Sequence, residues 1–485
     1  MRVLHIGRDF ADLRPCGLTL YSDALMRAQL EAGHDVAYFF AGRHYPKLRR
    51  PRLRRWDSDG LPMLEVLSSP NAPHWTAGTR YPLRDLAEPA VERLFATALR
   101  ETRPQLVHVH ELAGLTSSLI EQARDAGARV VMGLYDYAPL CATVRLVRGD
   151  GRRCLRRDVG EDCARNCASA PEGDGHLVEA TMRYELKRIK RAHPRLATLA
   201  RRARQPVIRG TLAALGSRPL HAGDVPAAGG ANGGFVAPPA DYQRRRDVNV
   251  ERLNRCDRLI APSRRLGDIY AQLGVDPARI VVQRLSQPHF DGLRPRRGAE
   301  PGSPLTFVTV GALSTPTKGS EVLVDAVRRL DAAGLRGRYR VRAVGDIAPS
   351  LRETVEAEPS LVWGGMHRRQ KLDFELADGD VGLVPSVWEE AHGFVGIEML
   401  ASGLPLIGSA LGGIPEYVIE GETGWLNRSA GAEELAAIMA RLVDDPAEVE
   451  RLRRSVRERR DEHVQTMASH VAEVEALYGE LVAAA

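Results

Sequence analysis

Residues Val381 to Leu426 read VGLVPSVWEEAHGFVGIEMLASGLPLIGSALGGIPEYVIEGETGWL. The apolar run Val381 to Val384 is short and bounded by Pro385, which predicts a buried strand. It delivers polar residues and glycines to a strand's carboxyl end, where open α/β sheets hold ligands. Glu390 and Glu398 have seven residues between them. Gly393 and Gly396 in that interval let backbone N–H groups approach a bound anion closely. Glu398 is expected to open an apolar helix that stops at Gly403. Leu404 to Ile407 then predicts a second short strand, and Gly412, Gly413 and Pro415 the turn after it.

Working outward, the same alternation of short apolar runs and helical periodicity fills the chain. Val3 to Ile6 predicts a strand, Arg8 to Pro15 a loop, and Leu18, Tyr21, Leu25, Ala28 and Ala32 one face of a helix closed by Gly33. Asp35 to Phe40, Leu106 to Val109 and Val130 to Leu134 predict further strands. The last two deposit His110 and Glu111, and Tyr135 and Asp136, on the carboxyl edge of a first sheet. His110, at a strand end beside an acid, is the candidate for chemistry on the acceptor side of a cleft. The loop after the first strand lacks the G-x-G-x-x-G fingerprint of dinucleotide sites.

With 485 residues the chain has room for two or three domains, and its net charge of +6 suits phosphate ligands or an anionic membrane surface as well as plain solvation. No apolar run reaches membrane-spanning length, and MRVLHIG begins a strand rather than a leader, so a cytoplasmic location is expected. KLRRPRLRR, Lys47 to Arg55, carries six basic residues and no acid. It is expected to be a solvated loop, with contact to anionic lipid headgroups as the alternative. Met182 to Arg204 predicts a basic helix interrupted by Pro194, and Gly216 to Pro239 a mobile loop.

The pattern EEAHGFVGIEMLASGLPLIGSALGGIPEYV resembles the donor-site signature of family 4 retaining glycosyltransferases. The resemblance implies the GT-B fold: α/β, two facing Rossmann-like domains. It gives residues 1–293 as an acceptor-side domain with an insertion at about 141–250, and 305–464 as a nucleotide-sugar domain. A final helix, 465–485, would cross back to the first domain. It implies that Glu398 accepts hydrogen bonds from the ribose of a nucleotide sugar and that Glu390 faces the transferred sugar. Gly311, Lys318 and Gly319 would form a phosphate-binding turn, and Gly17 and the amides of Gly393, Phe394 and Val395 would approach the donor. Backbone near Met366 would recognise the base. Two departures stand out: Ala312 replaces an arginine usual in the family, and Tyr135 a common histidine. Loss of one positioned charge can cost on the order of 3 kcal/mol of transition-state stabilisation, which Arg284 or another arginine would have to offset.

Cys141, Cys154, Cys163 and Cys167 form the pattern C-x12-C-x8-C-x3-C. In a reducing compartment such clustering suits structural zinc better than disulfides, with reduced thiols as the alternative. A subset of the family is similar here, with a cysteine-bearing insertion.

These features predict a retaining transferase with His110, Lys318 and Glu390 as catalytic residues and no catalytic cofactor. It would move a sugar from a nucleotide-diphosphate sugar to a hydroxyl of a glycan or lipid-linked acceptor, in polysaccharide or cell-envelope synthesis. Peripheral contact with an anionic membrane stands as the alternative to a merely solvated basic surface, and nucleic acid is not an expected partner. The alternatives are a non-catalytic binding or scaffold protein of the same fold, and a nucleotide-sugar epimerase.

Overall fold

The computed structural model describes all residues except 46, 49, 75–80, 168–173, 194–236, 295–301, 367–371 and 485. The mobile loop expected at Gly216 to Pro239 and the end of the basic helix fall wholly or partly outside the described residues.

Two sheets carry the fold. The first holds β1 (Arg2–Arg8), β2 (Asp35–Ala41), β3 (Arg52–Ser58), β4 (Leu61–Leu67), β5 (Leu106–Val109), β6 (Arg129–Gly133), β7 (Arg258–Ala261) and β8 (Ile280–Val282). Their order is β3-β4-β2-β1-β5-β6-β7-β8, parallel except for the β3–β4 pair. The second holds β9 (Leu305–Val310), β10 (Tyr339–Val344), β11 (Leu361–Trp363), β12 (Val381–Val384), β13 (Leu406–Ser409) and β14 (Gly424–Asn427). Its order is β11-β10-β9-β12-β13-β14, parallel throughout. In both sheets the strand order reverses direction beside the central strands, which opens a crevice at their carboxyl ends. Together they are the two α/β domains of the GT-B fold.

Val381–Val384 is fully buried, as its unbroken apolar run requires between two helical layers. Three sequence expectations change. The helix of the signature stretch begins at Phe394, so Glu398 lies in its second turn rather than at its start. Gly393, with φ of 76°, supplies the left-handed residue that lets the chain enter that helix directly from the loop. The basic stretch is not simply a loop: Arg52 to Ser58 is the edge strand β3, antiparallel to β4. Its arginines guard the open edge, while Trp56 turns inward to donate Nε1–H to Glu65 at 3.0 Å. The basic helix runs Gly175–Ala192, seven residues earlier than Met182.

The last helix, Met467–Ala483, packs on the first domain. Val474, Leu477 and Tyr478 join Val3, Tyr21, Leu25 and Leu106 in one buried cluster. Among the described residues no helix is long and apolar enough to cross a membrane.

Candidate functional site

Between the carboxyl edges of the two sheets lies a cleft of about 940 Å³. Its second-domain wall is made by two glycine turns. After β9, Gly311 (φ 73°) leads into two short 3-10 turns, the second ending at Lys318, and Gly319 (φ 87°) starts the helix Ser320–Ala332. A Cβ on Gly319 would sit 1.9 Å from the carbonyl oxygen of Pro385, so only glycine lets this turn lie against the end of β12. Val387 N–H to Thr317 O, 2.9 Å, ties the two turns together.

That contact delivers Lys318 to Glu390. Nζ donates to both carboxylate oxygens at 2.9 Å. Ser386 Oγ (3.1 Å) and Trp388 Nε1 (2.8 Å) donate to Oε2 of the same carboxylate. Glu398, 4 % exposed, is hydrogen-bonded to His289 Nε2 at 2.7 Å. His289 stands on the 3-10 turn Pro288–Gly292 that follows β8, so its partnership with Glu398 reaches from the interdomain connection into the cleft.

The first-domain wall brings Gly17, Glu111, Tyr135 and Asp136 into the same cleft. Gly17 meets the opposite domain: a Cβ there would lie 2.9 Å from the ring of Phe394, and its carbonyl accepts from Gln287 Nε2 at 2.7 Å. Burial pushes the Glu111 carboxyl up to about 8, with Arg8 opposing and Asp136 and Asp9 reinforcing the shift. Burial raises Asp136 to about 6. The raised value favours the protonated carboxyl of Glu111, the form that donates a hydrogen bond.

His110 lies outside the lining of this cleft and borders a smaller adjoining cavity of about 50 Å³ together with Glu111, Tyr135 and Asp136. It is 3 % exposed, and its Nε2 hydrogen-bonds His5 Nδ1 at 2.8 Å. His5 and His108 are register partners on β1 and β5, and His110 follows on the same side, so all three face the helical layer. Their ring nitrogens lie within 4.8 Å of one another; among the described residues no other His, Cys, Asp or Glu group gathers as tightly. His108 also bonds the Tyr478 hydroxyl of the last helix, which makes the cluster a polar joint between sheet and helix. Burial holds His5, His108 and His110 below the ordinary histidine range.

Met366 is 61 % exposed and lies outside the cleft lining. Ala312 is buried in the cleft wall. Arg284 donates to the carbonyl of Glu462 at 2.9 Å and lies outside that lining, whereas Arg14 reaches the cleft from the loop before Gly17. His289 carries no local sequence signal, because its partner Glu398 is 109 residues away in the chain.

All four cysteines of the insertion are buried and free. Cys163 and Cys167 share a thiol hydrogen bond, and Cys141 is near enough to act electrostatically on Cys163. Among the described residues no three of the four sulfurs lie within 4.8 Å of one another.

Residues 304–445 match the family described as glycosyl transferases group 1. Similar curated proteins include one of Salmonella typhimurium assigned provisionally to colanic acid biosynthesis as the glycosyltransferase WcaL. It is 32 % identical over 187 residues, 36 % of this chain and 46 % of that protein. The amylovoran biosynthesis glycosyltransferase AmsK of Erwinia amylovora is 29 % identical over 36 % of this chain and 45 % of its own length. The D-inositol 3-phosphate glycosyltransferase of Corynebacterium glutamicum is 30 % identical over 44 % and 55 %. The chain thus spans about half the length of the curated relatives it matches. Among solved structures, sucrose-phosphate synthase from Thermosynechococcus elongatus superposes with a TM-score of 0.63 at 16 % identity, over 100 % of both chains. Anabaena HepE in complex with UDP and glucose superposes at 0.55 and 14 % identity, over 99 % of both. These likenesses carry the fold and leave the chemistry to the residues of the cleft.

Proposed function

We propose that the chain is a retaining glycosyltransferase that moves a sugar from a nucleotide-diphosphate sugar to a hydroxyl acceptor in polysaccharide or cell-envelope glycan synthesis. The observation that carries the reading is the Lys318–Glu390 pair, set by two glycine turns at the mouth of the cleft. Relatives named for colanic acid and amylovoran synthesis support the choice of product.

In this reading Glu398 holds the ribose hydroxyls, exchanging its contact with His289 for two hydroxyl donors. Lys318 leaves Glu390 to neutralise the departing diphosphate, and Glu390, still held by Ser386 and Trp388, faces the sugar. The amides of Phe394 and Val395 open a helix and add partial positive charge toward the phosphates. Arg14, from the opposite wall, supplies the second cation that Ala312 cannot. The acceptor hydroxyl enters on the face from which the diphosphate leaves, and the leaving oxygen takes its proton. Glu111 and Asp136 line the acceptor side, and His110 is assigned to the fold rather than to chemistry. The protein's contribution is positioning and charge neutralisation.

Zinc on Cys141, Cys154, Cys163 and Cys167 would brace the insertion structurally. Cys163 and Cys167 are hydrogen-bonded to each other, and zinc binding would have to draw Cys141 and Cys154 toward them. The basic helix Gly175–Ala192 would carry the contact with an anionic membrane surface.

The test is calorimetry and thermal shift against a panel of nucleotide diphosphates and their sugars. Stabilisation by one nucleotide, lost in Glu398→Ala, supports the reading. A folded protein that binds none of them favours the non-catalytic alternative.

A further inference from the structure

Glu389 precedes Glu390 in the chain, yet every partner of its carboxylate comes from outside its own loop. Its side chain is 1 % exposed. Arg153 Nη1 donates to it at 2.9 Å. Arg265 donates through Nε and Nη2 at 3.2 and 2.9 Å, and the Gly412 N–H at 2.9 Å. Arg153 belongs to the cysteine-bearing segment, and Arg265 to the first turn of the helix Arg264–Gln272 in the first domain. Gly412 belongs to the turn after β13. A buried carboxylate is tolerated only when fully paired, and here the pairing requires both domains and the insertion at once.

The segment bearing Arg153 is held unusually firmly. Val144 and Leu146 have φ of 69° and 51°, left-handed conformations that a β-branched or bulky residue adopts only when its surroundings impose them. Backbone hydrogen bonds supply the brace: Val144 N–H donates to Cys141 O, and Cys154 N–H to Leu146 O. A bridge between Val147 and Arg153 then turns the chain back toward the cleft. Arg145, between the two strained residues, lies within electrostatic reach of Glu390. On the other side there is no slack. The Gly413 N–H donates to Glu390 O at 2.7 Å, and a Cβ on Gly412 would fall 2.1 Å from that same oxygen.

We propose that Glu389 is a positioning residue: gripped by Arg153 and Arg265 from across the cleft, it sets the loop that carries Glu390, so that the cysteine-bearing segment completes the donor site. The proposal rests on the reading of Glu390 as a donor-site carboxylate. It gives the insertion a task in the reaction without contact to substrate. It also links domain closure to the geometry of Glu390, because the grip exists only while the two domains meet.

The test compares Arg153→Ala, Glu389→Gln, the double variant and Arg153→Lys in the full chain. Arg152→Ala, an exposed neighbour on the same hairpin, serves as control. Hydrogen exchange of the free protein is read on peptides covering 388–393. Either single variant should speed exchange there about tenfold, the double variant no further, while Arg153→Lys and Arg152→Ala keep the original protection. Unchanged exchange in Glu389→Gln, or single effects that add in the double variant, would overturn the grip. This holds whether or not the chain transfers sugar. Turnover of UDP-glucose as probe then separates positioning from scaffolding: kcat should fall about tenfold in Glu389→Gln with KM within about twofold, since Glu398 is untouched. Faster exchange with an unchanged kcat would overturn the positioning role.

Discussion

Lys318 Nζ bonds both carboxylate oxygens of Glu390 at equal distance, 2.9 Å, so the cleft holds a closed ion pair where the proposed chemistry needs an open cation. The diphosphate of a donor would compete for Lys318, and Ser386 and Trp388 would keep Glu390 in place as it lets go. Lys318→Ala should therefore lower turnover by about two to three orders of magnitude while weakening nucleotide binding far less. Steady-state kinetics alongside calorimetry measure the two separately. Equal turnover in the variant would remove Lys318 from the mechanism.

Glu398 and His289 give a test that crosses over. Glu398→Ala removes the ribose acceptor and should weaken nucleotide binding roughly tenfold to a hundredfold, with Glu398→Gln in between. His289→Ala leaves a carboxylate that is 4 % exposed without its partner at 2.7 Å, so the free protein should melt earlier. Bound nucleotide would supply replacement donors, and the deficit should shrink when it is added. Thermal shift with and without UDP checks this; a deficit that persists unchanged would separate Glu398 from the nucleotide.

What could be read in the sequence was what is local. Strand ends, glycine turns and the Glu390–Glu398 spacing all lie within one short stretch, where periodicity and turn chemistry act on neighbours. What could not be read were pairings made by tertiary closure. Glu389 meets Arg153 from 236 residues away, and Glu398 meets His289 from 109. His110 shows a second kind of limit: a strand's carboxyl end points at the cleft, but side chains alternate, and the face that His110 shares with His5 and His108 packs toward the helical layer, leaving His110 at the border of a small cavity beside Glu111 and Asp136. In the basic stretch the alternation that brings Trp56 inward was masked by the arginines around it.

Gly17, which meets the opposite wall, and Gly412, which abuts the Glu390 loop of its own domain, should differ in their tolerance of a methyl group. At Gly17 a Cβ would press on the edge of the Phe394 ring at 2.9 Å, and a ring can rotate away. At Gly412 it would meet the backbone of Glu390 at 2.1 Å from a residue with φ of 56°, where nothing can yield. Gly17→Ala should be close to neutral in melting temperature and modestly weaker in nucleotide binding. Gly412→Ala should cost about 2 kcal/mol or more and lose turnover. A reversed order would contradict the geometry of the cleft.

The insertion makes a metal prediction. Protein purified without chelator should carry one zinc per chain by elemental analysis, and Cys163→Ser or Cys167→Ser should lose it together with melting temperature. Metal-free protein of unchanged stability would leave the four cysteines as reduced packing residues.

Glu111 sets the sign of a pH dependence. Its carboxyl stands near 4.5 when unfolded and is pushed to about 8 in the fold, chiefly by burial, against the pull of Arg8. A raised folded value means that the native state holds the proton more tightly. The stabilisation from that proton is complete below about 4.5, declines as pH rises, and is gone above about 8. Asp136, raised from 3.8 to about 6, adds the same slope over a lower and narrower window. Glu111→Gln removes the first slope and leaves the second. The variant and the unaltered protein should melt at similar temperatures near about pH 5, and the variant should melt progressively higher than the unaltered protein as the pH is raised to about 9. Melting curves across that range check it. A difference that stays constant would mean that Glu111 is ionised in the fold, and it would then face the cleft as an acceptor rather than a donor.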